Sequence, residues 1–174
     1  MLRVKAGDVD RMGLLFERYH RPLFRFLYHM LGQAQASEDL VQTVFYRMLK
    51  YRHTYSGEGE FRTWMYHLAR NVLADEVRKN RRATYYTDVT NVAEHLGGGS
   101  LADADLEQAQ DAAQLHRALA RLSPENREVL VLSRFQELKY AQIAQLLGTT
   151  EGAVKVRIHR ALHELKAFYQ RLES

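Results

Sequence analysis

The sequence predicts an all-helical protein in which two small domains are joined by a flexible linker. Apolar residues recur at the three- and four-residue spacing of helices on both sides of a segment with successive glycines, Gly97 to Gly99. No segment alternates apolar and polar residues as a half-buried strand does. With 174 residues, the chain is long enough for one ordinary domain or two small ones.

Three helical stretches precede the linker. Their apolar stripes run from Leu14 to Met30, from Leu40 to Leu49 and from Phe61 to Val72. Because a helix with such a stripe buries it against a neighbour, residues 1–82 are predicted to form one helical bundle with these stripes as its core.

The charge is distributed unevenly along the chain. Residues 1–82 hold 15 Lys and Arg against 9 Asp and Glu, residues 83–110 hold none against 5, and residues 111–174 hold 10 against 7. Two basic domains therefore flank an acidic linker. A basic domain suits a polyanion such as nucleic acid, but many soluble proteins have the same balance, so the signal alone is weak.

Four shorter helices are predicted after the linker, at about residues 111–121, 124–135, 140–147 and 151–171. Ser123 and Pro124 form an N-cap followed by proline at the first helical position. Gly148 ends the third of these helices, and Thr149 or Thr150 caps the fourth. The last two helices therefore have the spacing of a helix-turn-helix.

In the final helix an apolar stripe that begins with Val154 and Ile158 is predicted to face the domain. The opposite face shows Lys155, Val156, His159, Arg160 and His163, and is therefore mainly polar and basic. Such a face, leading from a tight turn, suits contacts with bases and phosphates in a DNA major groove. The alternative is a helical hairpin with an ordinary solvated surface.

Basic residues also follow aromatic ones in the first domain. The aromatic residues are Tyr51, Tyr55, Phe61, Trp64 and Tyr66, and the basic ones include Arg70, Arg78, Lys79, Arg81 and Arg82. This combination suits melted nucleic acid, because bases stack on rings while cations follow the phosphates. We expect Trp64 to be core, and residues 78–82 to bind nucleic acid because their like charges repel one another without a polyanion.

Several function classes are excluded or disfavoured. The chain has no cysteine, which excludes disulfides and thiolate chemistry and suits a reducing cytoplasm. His159 and His163 are four residues apart, but Arg160 stands where a metalloprotease helix has Glu, so no metal site is expected. No catalytic centre or cofactor motif is found, and no stretch approaches the roughly 20 apolar residues of a membrane helix.

Three segments together resemble a known family. They are SEDLVQTVFYRMLKY at residues 37–51, FRTWMYHLARNVLADEVRKNRR at residues 61–82, and LSPENREVLVLSRFQELKYAQIAQLLGTTEGAVKVRIHRALHELK at residues 122–166. In this order they resemble regions two and four of the bacterial sigma-70 family, in its extracytoplasmic function (ECF) subfamily. The resemblance covers about residues 8–82 and 111–170. It implies a promoter-specificity subunit of RNA polymerase, and not an enzyme.

The resemblance implies a role for each domain. Region two, residues 1–82, would dock on core polymerase through Glu38, Asp39 and Gln42, on the helix face opposite Val41 and Phe45. Ala36 stands where the family usually has an acid. Region four, residues 111–174, would read the duplex at the minus thirty-five element. The residues implied there are Lys155, Val156, His159 and Arg160.

Reading of the melted minus ten element is implied for the first domain. Asn71 is the implied reader of one unstacked base, with Tyr55 as a wall of the base pocket. We expect Asn71 at a loop edge; the alternative is that it caps a helix, for which asparagine is equally suited. The residues expected to hold the DNA backbone are Arg78, Lys79, Arg81 and Arg82.

The implied partners are core RNA polymerase, promoter DNA and an anti-sigma factor, without insertion into a membrane. Two other functions remain open from the residues. One is a helix-turn-helix regulator that binds DNA without joining polymerase, and comigration with core enzyme would discriminate it. The other is a nuclease, against which the absence of a metal-ligand cluster in the sequence argues; a divalent-metal cleavage assay would decide.

Overall fold

The computed structural model describes residues 1–86 and 106–173, and all regular structure in those ranges is helical. The prediction of an all-helical fold is therefore confirmed. The helices are α1 (Leu2–Lys5), α2 (Met12–Leu31), α3 (Ala34–Lys50), α4 (Phe61–Tyr86), α5 (Leu106–Arg121), α6 (Pro124–Leu130), α7 (Tyr140–Leu147) and α8 (Glu151–Glu173).

The described residues divide into two compact units. The first unit contains Met1–Leu27 and the chain from Gln35 through α4, and the second contains Tyr28–Ala34 and α5 to α8. The sequence prediction had assigned Tyr28–Ala34 to the first domain. Of the predicted linker at 83–110, residues 83–86 belong to α4 and residues 106–110 to α5, while its glycine-containing centre lies outside the described residues.

The first unit has its core between α2, α3 and α4, as the three apolar stripes predict. Its fully buried side chains include Leu23, Phe26, Leu27, Val44, Met48, Met65 and Tyr66. The rings of Phe26 and Tyr66 meet edge to face, with centroids 5.4 Å apart. Burial raises the pKa of the Tyr66 hydroxyl to about 12, because the phenolate would lose its hydration.

The second unit packs α5 to α8 around a separate apolar core. Its fully buried side chains include Leu119, Leu130, Leu132 and Ile143. The predicted start of α6 is confirmed, since the Ser123 hydroxyl accepts a hydrogen bond from the Asn126 N–H and Pro124 is the first helical residue. Both units thus bury a core of their own.

The predicted single helix over residues 124–135 is wrong in its second half. Residues Val131–Phe135 form a π-helical turn, in which the Gln136 N–H donates to the Val131 carbonyl over 3.0 Å. Leu138, just after this turn, is 3% exposed, and its N–H donates to the Leu132 carbonyl over 3.0 Å. Glu137 has a φ of +52°, so the chain leaves the helix through a left-handed residue.

Among the residues described, no helix is both long enough and apolar enough to cross a bilayer.

Candidate nucleic-acid interface

The turn between α7 and α8 has the geometry that the sequence predicts. Gly148 adopts the left-handed conformation, with a φ of 63°, and ends α7. The Thr149 N–H donates to the Ala144 carbonyl over 2.9 Å, and the Thr150 hydroxyl accepts from the Ala153 N–H over 3.2 Å. Thr150 is therefore the cap of α8, and the turn brings α8 out directly beside α7.

The two faces of α8 differ as the apolar stripe predicts. Val154, Ile158 and Ala161 are at most 2% exposed. The four predicted contact residues for duplex DNA are all exposed on the other side of the helix: Lys155, Val156, His159 and Arg160. The structure thus brings these four side chains together on one accessible surface, hereafter the α8 face.

The predicted polymerase-docking residues also share one surface. Glu38, Asp39 and Gln42 are exposed on α3, while Val41 and Phe45 are 5% and 7% exposed and belong to the core. Asp39 accepts a long hydrogen bond of 3.4 Å from the Gln35 amide on the preceding turn. This acidic and amide-bearing surface of α3 is called the α3 face below.

Tyr55 lies in the loop of residues 51–60, which connects α3 to α4. Its side chain is only 8% exposed, and its ring centroid lies 5.3 Å from that of Trp64 and 6.0 Å from that of Phe61. Trp64 is half-buried and donates its indole N–H to the Thr54 hydroxyl over 3.3 Å. Tyr55 therefore supports the loop from within, and Trp64 is less buried than the core position expected for it.

The setting predicted for Asn71 is wrong. Asn71 lies at neither a loop edge nor a helix end, because α4 runs without a break from Phe61 to Tyr86. Buried Val72 and Leu73 beside it continue the packed face of the helix. The Asn71 side chain is exposed, and its amide nitrogen lies 3.3 Å from the His67 Nδ1 atom. The amide therefore projects from the surface of a continuous helix.

The basic residues predicted to hold the DNA backbone follow Asn71 on the same helix. Arg78, Lys79 and Arg81 are exposed, and the Arg82 side chain lies outside the described residues. Arg78 is seven residues after Asn71, which places both on one side of α4. We call the exposed side chains of Asn71, Arg78, Lys79 and Arg81 the α4 surface.

Asp75 lies between Asn71 and Arg78 and ties α4 to α3. Its carboxylate accepts from the Arg47 guanidinium over 2.6 Å and lies 3.4 Å from that of Arg78. The hydrogen bond from Arg47, assisted by the charges of both arginines, holds the pKa of Asp75 below its usual range. Asp75 thus offsets part of the Arg78 charge, whereas it makes no such ion pair with Lys79 or Arg81 among those described.

His159 and His163 stand on α8 with their ring centroids 4.5 Å apart. In the part of the chain that the structure describes, no group of three or more His, Cys, Asp or Glu residues is placed to hold a metal ion.

Comparison with known proteins assigns both units. Residues 15–83 match the family model for sigma-70 region 2, and residues 112–165 match that for sigma-70, region 4. The ECF RNA polymerase sigma factor SigL of Mycobacterium tuberculosis is 30% identical over 169 residues, which are 96% of this chain and 93% of SigL. The chain belongs to the ECF sigma factors of the sigma-70 family.

Two further similarities agree with this membership. The ECF sigma factor BldN of Streptomyces coelicolor is 32% identical over 164 residues, which are 94% of this chain but 62% of BldN. The solved structure of the sigma factor RpoE from Bartonella quintana, in complex with the anti-sigma factor NepR, has the same fold. Its TM-score is 0.75 at 21% identity, and the match covers 91% of this chain and 96% of RpoE. The present sigma factor is a transcription initiation factor.

Tyr46 of this sigma factor was not among the residues predicted from the sequence. Its side chain is 63% exposed, and it follows Gln42 by one helical turn on the α3 face. The Lys50 ammonium lies 6.0 Å from the centroid of its ring and 5.5 Å from that of Tyr51. A large aromatic residue in such a position is a frequent anchor in protein interfaces. The four-residue spacing from Gln42 was the signal that could have found it.

A polar contact beside the α8 face was also not predicted from the sequence. The Asn126 amide of α6 donates to the Glu164 carboxylate of α8 over 3.0 Å. Together with Arg157 and Arg160 these two residues line a shallow groove next to Val156. Because Asn126 and Glu164 are 38 positions apart, no local pattern signals their contact.

Proposed function

We propose that this sigma factor binds core RNA polymerase through the α3 face of residues 1–82 and reads the minus thirty-five duplex through the α8 face of residues 111–174. The α4 surface and the loop of residues 51–60 would contact the melted minus ten element. The linker between the two domains would span the distance between the two promoter elements. The protein would act as a binding subunit, without catalysis of its own and without a cofactor.

The observation that carries the proposal is the division of α8 into a packed and an exposed face. Val154 and Ile158 fix the helix in the second unit, so Lys155 and Arg160 are held outward from the tight turn at Gly148. Arg and Lys side chains held in this way can donate to base edges and to phosphates in a major groove. His159 and Val156, which lie between Lys155 and Arg160 in the sequence, would add further contacts with the DNA.

The proposal is tested by run-off transcription with core polymerase and a library of candidate promoters. We expect transcripts from a subset of promoters that share two elements, and none with core polymerase alone. The Lys155→Ala/Arg160→Ala double variant should lose activity on the same promoters while still comigrating with core enzyme. Binding of DNA without any comigration with core enzyme would instead identify a helix-turn-helix regulator that acts alone.

An anti-sigma factor is the third proposed partner. RpoE, whose fold this chain shares, was solved in complex with the anti-sigma factor NepR. A partner of that class would compete with core polymerase or promoter DNA for this sigma factor. We place the protein in the cytoplasm because its proposed polymerase and DNA partners are there. Co-purification of the tagged chain from its own cells would identify the partner.

A further inference from the structure

The short helix α1 lies against the loop of residues 51–60, some fifty positions later in the chain. Val4 is fully buried, which anchors α1 in the first unit. The Lys5 ammonium donates a hydrogen bond of 2.7 Å to the Tyr55 carbonyl. α1 also contacts the turn Arg52–Thr54 at the start of the loop. The Lys5 hydrogen bond and the close approach of α1 to that turn therefore join α1 to this loop.

A third contact lies further along the loop, at Gly57. Its φ is +84°, and a Cβ atom added there would come within 2.8 Å of the Leu2 Cδ2 atom. The Leu2 side chain therefore covers the backbone of Gly57 directly. Any residue with a side chain at position 57 would both strain the backbone and displace Leu2.

The inner side of the loop is held by aromatic rings. Tyr55 packs against Trp64, and Trp64 donates to Thr54. On either side of Gly57, the Ser56 hydroxyl accepts a hydrogen bond of 3.1 Å from the Glu58 N–H, which is a contact within the loop itself. Without α1, the segment around Gly57 and Gly59, both with positive φ, would lose its contacts with the rest of the first unit at Leu2 and Lys5 and would sample more conformations.

We propose that α1 is a brace that fixes the loop of residues 51–60 for recognition of an unstacked base, with Lys5 as a positioning residue. This inference rests on the proposed role of that loop at the minus ten element. Binding to a loop that is already ordered avoids the entropic cost of ordering it in the complex. Lys5 would thus act through the Tyr55 backbone and not through a phosphate.

The test compares Lys5→Met with Arg3→Met. Both variants remove one positive charge from α1, but Arg3 is exposed and has no contact with the loop among those described. Each holoenzyme is titrated with a single-stranded oligonucleotide of the minus ten element, either intact or with one base removed. We expect Lys5→Met to lower the preference for the intact strand by about threefold or more, a loss of roughly 0.7 kcal/mol. Arg3→Met should keep the wild-type preference.

A second measurement reports the loop directly. Trp64 is the only tryptophan of the chain, and it contacts both Thr54 and Tyr55. Its emission should shift to longer wavelength in Lys5→Met and stay unchanged in Arg3→Met. Lys5→Arg keeps a charged donor and should restore both the emission and the base preference. If Lys5→Met loses helix content, the same measurements are made on Leu2→Ala. Leu2 is 58% exposed and not part of the core, so this variant should stay folded. It should lower the base preference and shift the emission because it removes the contact with Gly57.

Each other outcome counts against a specific statement. An equal loss of binding to the intact and the abasic strand would make Lys5 a phosphate contact and overturn the brace. Wild-type preference and wild-type emission in Lys5→Met would overturn it as well. If the wild-type holoenzyme itself shows no preference for the intact strand at any position, the proposed function of the loop fails, and the brace with it.

Discussion

Asn71 lies in the middle of α4 with its amide exposed, and this position fixes what its side chain can do. The amide offers a donor and an acceptor, which are the two groups needed to read the edge of one base. It makes one contact of 3.3 Å, with His67 on the preceding turn. Since the backbone around it is fully helical, the residue has no capping role to preserve, and a substitution should leave the fold intact.

Asn71→Asp is therefore expected to stay folded and to bind core polymerase, but to open promoters poorly. The change removes the donor and brings a negative charge to DNA. We expect the largest loss at a single position of the minus ten element, measured as open-complex formation on promoters with each base replaced in turn. Open-complex formation equal to wild type on every promoter would reject the base-reading role.

Lys155→Ala and Arg160→Ala should each weaken binding to the minus thirty-five duplex by about 1 to 3 kcal/mol, the usual value of a good base contact. The matched control is Lys166→Ala, which removes an exposed cation from the same helix, about three turns beyond Lys155 and nearly two beyond Arg160. Fluorescence anisotropy with labelled duplex gives the comparison. A loss in Lys166→Ala as large as in the other two would place the contact elsewhere on α8.

The proposed surfaces on α3, α4 and α8 are each formed by one face of one helix. The α3 face exists because Val41 and Phe45 are fixed in the core and turn Glu38 and Asp39 to solvent. The partly exposed ion pair between Arg47 and Asp75 adds one contact between α3 and α4. The position of the α3 face relative to the α4 surface therefore depends mainly on the packing of the two helices.

Asp39→Lys should weaken association with core polymerase while the helix content is unchanged, because Asp39 is exposed and makes no core contact. The matched control is Asp10→Lys, a charge reversal of the same size at an exposed residue outside α3. Size-exclusion comigration and a titration with labelled core enzyme measure the effect. Wild-type affinity in Asp39→Lys would mean that another surface docks.

The ion pair of Asp75 predicts a pH dependence of stability. Its pKa is lowered in the folded state, so its contribution is complete above the ordinary aspartate pKa and is lost as the pH falls through the lowered value. In Asp75→Asn this loss of stability at acid pH should be absent, whereas in Glu76→Gln it should remain. Thermal unfolding at neutral and acid pH provides the comparison. The effect should be small, since both partners of the pair are partly exposed.

At the scale of the whole molecule, the local signals of the sequence predicted the helices well. Ser123, Pro124 and Gly148 act on their own neighbours, so their effect can be recognised without the fold. The position of Asn71 was predicted wrongly, because asparagine favours helix caps and loops. The packing of Val72 and Leu73 instead keeps α4 continuous through this residue. Contacts between distant positions, such as Lys5 with Tyr55, leave no local pattern at all.

The distribution of charge over the whole chain predicts a salt dependence. Replacing Lys79 and Arg81 together by Gln should lower the slope of log affinity against log salt by about 1.4 to 1.8, the range for two lost phosphate contacts. The preference among promoters should not change, because phosphate contacts carry no sequence information. Arg18→Gln with Arg21→Gln removes the same charge from exposed positions of α2 as the control. Equal slopes in both double variants would argue against phosphate contacts on α4.

Because α4 is continuous, it holds Asn71 at a constant distance from the basic residues that follow it. Asn71 and Arg78 are separated by seven residues and hence by about 10 Å along the axis, close to the length of three nucleotide steps in a stacked strand. Under the proposed function, the helical rise would set the distance between the base read by Asn71 and the phosphates held by the basic residues. One extra residue between Asn71 and Arg78 would increase the axial distance between them by only about 1.5 Å. It would also rotate the basic residues by about 100° around the helix axis relative to Asn71.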